Sequence, residues 1–155
     1  MRVPIDTLGN DAHIWIFGIS PELDAQQSAV LLQQVDAFLD NWASHGTPIR
    51  GARELREGSF LVVAADAQSE RSGCSIDRMF GTLKRLEQQL GVQILDSSRV
   101  FLRGEAGVRA VSRGDFRNFA NATTHVFDLT AEHLGDVRQG AWERRAADSW
   151  HAQLL

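Results

Sequence analysis

Two short runs in this chain are apolar on both sides of an extended strand. His13-Ile14-Trp15-Ile16-Phe17-Gly18-Ile19 and Phe60-Leu61-Val62-Val63-Ala64-Ala65 are rich in β-formers and lack polar alternation. A strand with one wet face alternates, whereas one that does not must be covered above and below. In the first run Trp15 and Phe17 point one way while Ile14 and Ile16 point the other. The fold must therefore set both runs as central strands of a sheet and close both of its faces.

The segments between these runs carry helical and edge-strand signals. Ser20-Pro21-Glu22 has the form of a helix start: a capping Ser, Pro at the first helical position, an acid in the first turn. Leu31, Val35, Phe38 and Trp42 recur at helical spacing, widened by Leu32 and Leu39, and the stop is expected at Ser44-His45-Gly46. Ile49 to Arg56 carries four charges and suits an edge strand, and Glu57-Gly58 turns it into the second apolar run. Asp66 to Gly73 reads as a polar loop. Ile76, Phe80, Leu83, Leu86 and Leu90, with Met79 beside them, predict a second helix ended by Gly91. A strand around Val100-Phe101-Leu102 then turns through Gly104–Gly107 into Val108-Arg109-Ala110-Val111.

This order of strand, helix, strand, strand, helix, strand is that of a ferredoxin-like βαββαβ sandwich of the α+β class. The expectation is a single domain over 1–155, with the core at about 13–103 and a C-terminal hairpin and helical extension at about 104–155. Two helices cover one sheet face, so the extension is expected to cover the other. Ser112 is placed to cap a helix carrying Phe116 and Phe119, and Thr130 one running to Arg138. The tail Ser149-Trp150-His151-Ala152-Gln153-Leu154-Leu155 should dock on the open face or on a second copy.

Composition narrows the function classes. With 155 residues and a net charge of −4, no global field draws the chain to nucleic acid or to anionic lipid. Only Lys84 among sixteen basic side chains is a lysine, a skew typical of a GC-rich bacterial genome. A single cysteine makes no intrachain disulfide. The N-terminus has no apolar signal-peptide core, and no apolar run approaches the roughly 20 residues that span a bilayer. The expected compartment is the cytoplasm.

Phosphate-binding loops, dinucleotide fingerprints, zinc-protease helices, C-x-x-C pairs and nucleophile elbows are all missing. The inferred topology supplies a candidate site instead. It brings the end of the first helix, the end of the third strand and the start of the second helix to one rim, joining His45, Asp66 and Cys74. Cys74 at a helix N-terminus can act as a thiolate with His45 as base and Asp66 orienting the imidazole. It can equally be a small packed residue under the helix start. His45 can cap the last carbonyls of a helix, and Asp66 can be a turn acid. Trp42, Gly73, Ser75 and His13 would line the ligand side of this rim, although Trp42 also continues a core stripe and Ser72 or Ser75 suits a cap. Gly73 can form part of an anion-holding nest or a simple turn. Ser149 and His151 could contribute to a site or belong to a packed tail. No histidine spacing supports a metal site, and no cofactor is implied. Arg113 and Arg117 beside Phe116 and Phe119 resemble a stacking surface for RNA, but Phe at helical spacing also builds cores.

Trp42-Ala43-Ser44-His45-Gly46, the strand closed by Asp66, Ser72-Gly73-Cys74-Ser75-Ile76-Asp77 and Ser149-Trp150-His151 together resemble a group of short bacterial proteins often labelled "ABC transporter ATPase". The likeness runs over most of the chain. The label conflicts with the residues, which include no Walker A loop and no transporter signature segment. The resemblance implies a bacterial cytoplasmic protein and supports the choice of candidate residues, but carries no reaction.

Three functions are left in competition. The first is a small-ligand-binding or cysteine-dependent enzyme site at the His45, Asp66, Cys74 rim. The second is a non-catalytic module that dimerises or binds a partner protein. The third is RNA binding, which the overall charge disfavours.

Overall fold

A computed structural model describes residues 1–155. All six residues of β5 (Phe60–Ala65) are buried, because this strand lies between β1 (His13–Gly18) and β4 (Gly51–Arg56) in an antiparallel sheet of order β1-β5-β4. The side chains divide by parity. Phe17, Leu61, Val63 and Ala65 face the helices α1 (Ala25–Asp40) and α2 (Gly73–Leu90), meeting Leu31, Val35, Leu39, Met79, Leu83 and Leu86. Ile14, Ile16, Phe60, Val62 and Ala64 face the opposite way. The double-sided apolarity of the two runs is thus used on both sides.

The cover on the second side is another sheet. β6 (Arg99–Gly104), β7 (Gly107–Ser112), β8 (His125–Phe127) and β9 (Glu143–Arg145) form a four-stranded antiparallel sheet in the order β7-β6-β8-β9. Phe101 and Phe127 project from it onto Phe60, with Trp142 edge-on to Phe60 at 4.9 Å. Arg103 ties the two sheets at their rim, donating to Glu57 from the β4–β5 turn and to Glu143 of β9. The outer face of the second sheet carries Val100, Leu102, Val111 and Val126. It is covered by Phe116 of α3 (Arg113–Phe119) and by the 3₁₀ segments Ala146–Asp148 and Trp150–Leu154. The C-terminal tail therefore docks, but on the second sheet and not on the open face of the first.

The class is α+β, as expected, but the strand order differs from a ferredoxin-like sheet. In that fold the last strand would pair with the free edge of β1. Here only Gln93 does so, exchanging backbone hydrogen bonds with Ser20. The next two amides, Ile94 N–H and Leu95 N–H, donate to the Glu87 carboxylate of α2 at 2.7 and 2.8 Å. Their donors are spent, the chain turns away, and β6, counted with the core at 13–103, joins the second sheet. β1, expected to be central, is consequently an edge strand of its own sheet.

Local signals around the first helix also resolve differently. Ser20-Pro21-Glu22 does not start it: Asp24 is the cap, in a reciprocal box with Gln27, and α1 begins at Ala25. Asp24 can accept from Gln27 N–H while Gln27 returns to the Asp24 N–H, which satisfies two orphan donors at once. α1 ends at Asp40, so Trp42 lies beyond the helix. β2 (Ala43–Ser44) and β3 (Thr47–Pro48) then make a minimal hairpin with His45 and Gly46 as its turn, both at positive φ. The short helix α4 (Leu134–Arg138) begins after His133, and Thr130 bonds Asp128 instead of capping it. No helix is long and apolar enough to cross a membrane.

Candidate functional site

The rim residues are held by separate structural tasks. Ser72 and Ser75 form the reciprocal capping box of α2, so Ser75 is occupied as a cap. Trp42 is buried and its indole N–H donates to the Ser75 carbonyl at 2.9 Å, which makes it a core pin between the hairpin and α2. Asp66 is engaged by Arg50 and by the Gln68 N–H. His45 is exposed at the hairpin turn, and Cys74 and Gly73 are exposed on the first turn of α2. No hydrogen bond or ion pair joins Cys74, His45 and Asp66 to one another. His13 is half-buried, edge-on to Trp15 at 4.5 Å, with burial and then the Arg71 charge holding it below the ordinary histidine range. No group of three or more His, Cys, Asp or Glu side chains is arranged to hold a metal ion.

A different place in the molecule is built as a cleft. Where the chain leaves β1 after Gln93, a concavity of about 450 Å³ opens between the two sheets. Its walls are mostly apolar: Phe101 and Phe127 of the second sheet, Ile94 and Leu95 of the departing chain, Leu129, and Phe80 of α2. Phe80 sits on the helical stripe that the sequence assigns to the core, yet it is 39% exposed. A fourth strand beside β1 would have covered it. Size and lining match those of small-molecule sites, which are concave, largely apolar and carry few placed polar groups.

The polar groups here are Asp96, Ser97, Arg99, Arg113, Thr130 and His151. Asp96 accepts from the Ser98 hydroxyl and N–H, which together with nearby Arg99 hold its carboxyl below the usual range. Arg99 lies 3.8 Å from Asp96, so these two charges offset each other. Arg113 has no carboxylate within ion-pair reach; its guanidinium lies over the Trp150 ring at 5.3 Å. Arg113 is therefore the cleft guanidinium without an ion-pair partner, with the Asp128 carboxylate acting on His151 beside it.

His151 is the most constrained of the set. It is 1% exposed, stacked on Trp150 at 4.0 Å, with Phe116 beyond it at 5.9 Å. Burial pushes its pKa down to about 4; Asp128 opposes that shift and Arg113 adds to it. The ring is neutral at pH 7. Its Nδ1 lies 2.8 Å from Ser149 Oγ, and that hydroxyl has no other acceptor. Assigned from this pattern, Ser149 donates to Nδ1 and the ring proton is on Nε2. Nε2 has no partner in the chain. His151 lines the cleft, and its Nε2 is not sealed from solvent, since the one fully enclosed side-chain polar atom without a partner is Ser44 Oγ.

Of the two expectations for Ser149 and His151, the packed tail is what the structure shows, with His151 buried against Trp150 and also lining the cleft. Arg113 does not join a stacking surface for RNA: its neighbour Phe116 is fully buried and offers no face for a base, while exposed Phe119 is covered by Arg109 at 5.1 Å. Nothing local in the sequence marks Arg99, Asp96 or Phe80 as cleft residues. No protein-family model, no curated protein and no solved structure matches this chain.

Proposed function

We propose that this protein binds a small molecule in the cleft between its two sheets. This small-ligand site lies not at the His45, Asp66, Cys74 rim but at the other end of β1, where Arg113 and His151 converge. The observation that carries it is His151: a buried imidazole, positioned by Ser149 and Trp150, whose remaining nitrogen has no partner except what enters the cleft. A group so placed is satisfied by water or by a ligand, and the apolar walls make displacement of that water by an apolar body favourable.

The test is a fragment screen followed by ¹⁵N-resolved NMR. Saturable shifts are expected at amides of Gly18, Leu95, Thr130 and His151, and they should vanish in Thr130→Trp, which fills the cleft from its exposed rim. A set of several hundred aromatic and acidic fragments that moves none of these amides overturns the reading.

A further inference from the structure

The floor of the cleft is a strand edge. The cavity touches three consecutive residues, Ile16, Phe17 and Gly18. Ile16 packs against the second sheet and Phe17 against the helices, so their side chains lie on opposite faces of β1. One cavity that reaches both, and reaches a glycine between two covered faces, lies at the side of the strand where its peptide groups are. These groups follow the antiparallel alternation. Ile19 N–H donates inward to Ser59, and Ile14 N–H donates outward to Glu132. Odd residues therefore bond within the sheet and even residues point out of it. Ile14 and Ser20 find outside partners in Glu132 and Gln93. Between them, the N–H and C=O groups of Ile16 and Gly18 have none, and both residues are buried. Backbone groups in a strand this covered are rarely left without a partner, and these face the cleft.

An edge of this kind is completed by a strand. One residue of an extended peptide presents its own N–H and C=O on the same side, which is what this edge lacks. The open stretch from Ile16 to Gly18 is only about 7 Å long. Both of its ends are plugged, one by Glu132 and the other by Gln93, so no long strand can run through. The remaining features supply an apolar wall for a side chain and, at Arg113 and His151 Nε2, a cation and a neutral donor for an anionic group. A carboxylate at the end of a short peptide has that chemistry.

We propose that the cleft takes a free, extended peptide of two or three residues, whose backbone pairs with Ile16 and Gly18 and whose terminal carboxylate is held by Arg113 and His151. This rests on the small-ligand reading above and specifies its ligand class.

The probes are N-acetyl-X-glycine peptides with X as Phe, Leu, Met or Val. Each is compared with its ester analogue, in which the N–H of X is replaced by oxygen, and with its C-terminal amide. Binding is followed by NMR at the Ile16 and Gly18 amides and by calorimetry. At least one acid is expected to shift both amides, with affinity falling about tenfold in the ester analogue and about tenfold in the amide. Arg113→Gln should bring the acid down to the affinity of the amide while leaving the amide unchanged. If acid, ester and amide bind alike, or only simple aromatic fragments enter, the peptide class is wrong and the small-ligand reading stands. If a peptide extended by four residues at its N-terminus binds as well as the short one, the occupant is a protein terminus and the free-peptide assignment fails. If neither peptides nor fragments reach the cleft amides, both readings fall.

Discussion

The buried His151 makes the stability of this protein depend on pH in a direction that can be worked out. Its folded pKa lies near 4, against 6.5 for an unperturbed histidine. A lowered folded value means that the unfolded chain binds the proton more readily below pH 6.5. Stability therefore rises with pH across this range and is lost as pH falls from 6.5 toward 4. With these two values the loss between pH 7 and pH 5 is about 2 kcal/mol, and it levels off near ~3 kcal/mol below pH 4. Burial carries most of this, with Arg113 adding to it and Asp128 opposing.

The comparison that isolates the effect is wild type against His151→Phe, each unfolded in urea at pH 7 and pH 5 with tryptophan fluorescence as the readout. The phenyl ring keeps the stack on Trp150 and removes the titration. Other histidines, including His13 with its own lowered pKa, act equally in both proteins and cancel. Taking about 2 kcal/mol per M for the urea slope, the wild-type midpoint should drop about 1 M more than that of the variant between the two pH values. A bound carboxylate beside Nε2 favours the protonated ring, so an acidic ligand should shrink the wild-type drop. Parallel behaviour of the two proteins without ligand would refute the argument, since it would mean that His151 protonates in the folded chain without penalty.

Two further substitutions test the supports of the cleft. Gly18→Ala sets a methyl 2.3 Å from the Phe101 ring, so about 1–3 kcal/mol of destabilisation is expected in urea unfolding, together with loss of fragment shifts in the cleft. Trp42→Phe keeps most of the buried ring but deletes the bond from its N–H to the Ser75 carbonyl, which should cost about 1–3 kcal/mol in the same assay with no change in cleft binding.

Most of the secondary structure was legible because its causes are local. The two double-sided apolar strands, the α2 stripe, the Gly91 stop and the β6–β7 hairpin all follow from residues within one element or its ends, whereas the choice of Ser72 over Ser75 as the α2 cap did not. The start of α1 was misread where two local signals compete. Ser20-Pro21-Glu22 and Asp24 to Gln27 both have the form of a helix start, and tertiary pairing of Ser20 with Gln93 decides for the second. Trp42 was misread for a related reason. Its spacing continues the helical stripe, and an indole just beyond a helix end can fill the same core as one on its last turn.

The strand order and the cleft were not legible, and they have one cause. Whether the segment after Gln93 continues along β1 depends on where its amides find acceptors. The Glu87 carboxylate, seven and eight residues earlier, takes two of them at once. Glu87 lies on α2 amid polar neighbours and has the look of a solvated helix residue, so no periodicity reveals the diversion. Once it occurs, the consequences are linked. The edge of β1 at Ile16 and Gly18 goes unpaired, Phe80 loses its cover, and β6 is released to build the sheet that carries Phe101 and Phe127. That sheet in turn needs covering on its far side, which brings Arg113, Trp150 and His151 to the mouth of the gap. The rim of Cys74 was conspicuous because it concentrates unusual residues in one stretch. The cleft draws ordinary residues from six segments, and only the failure of one strand to pair puts them together.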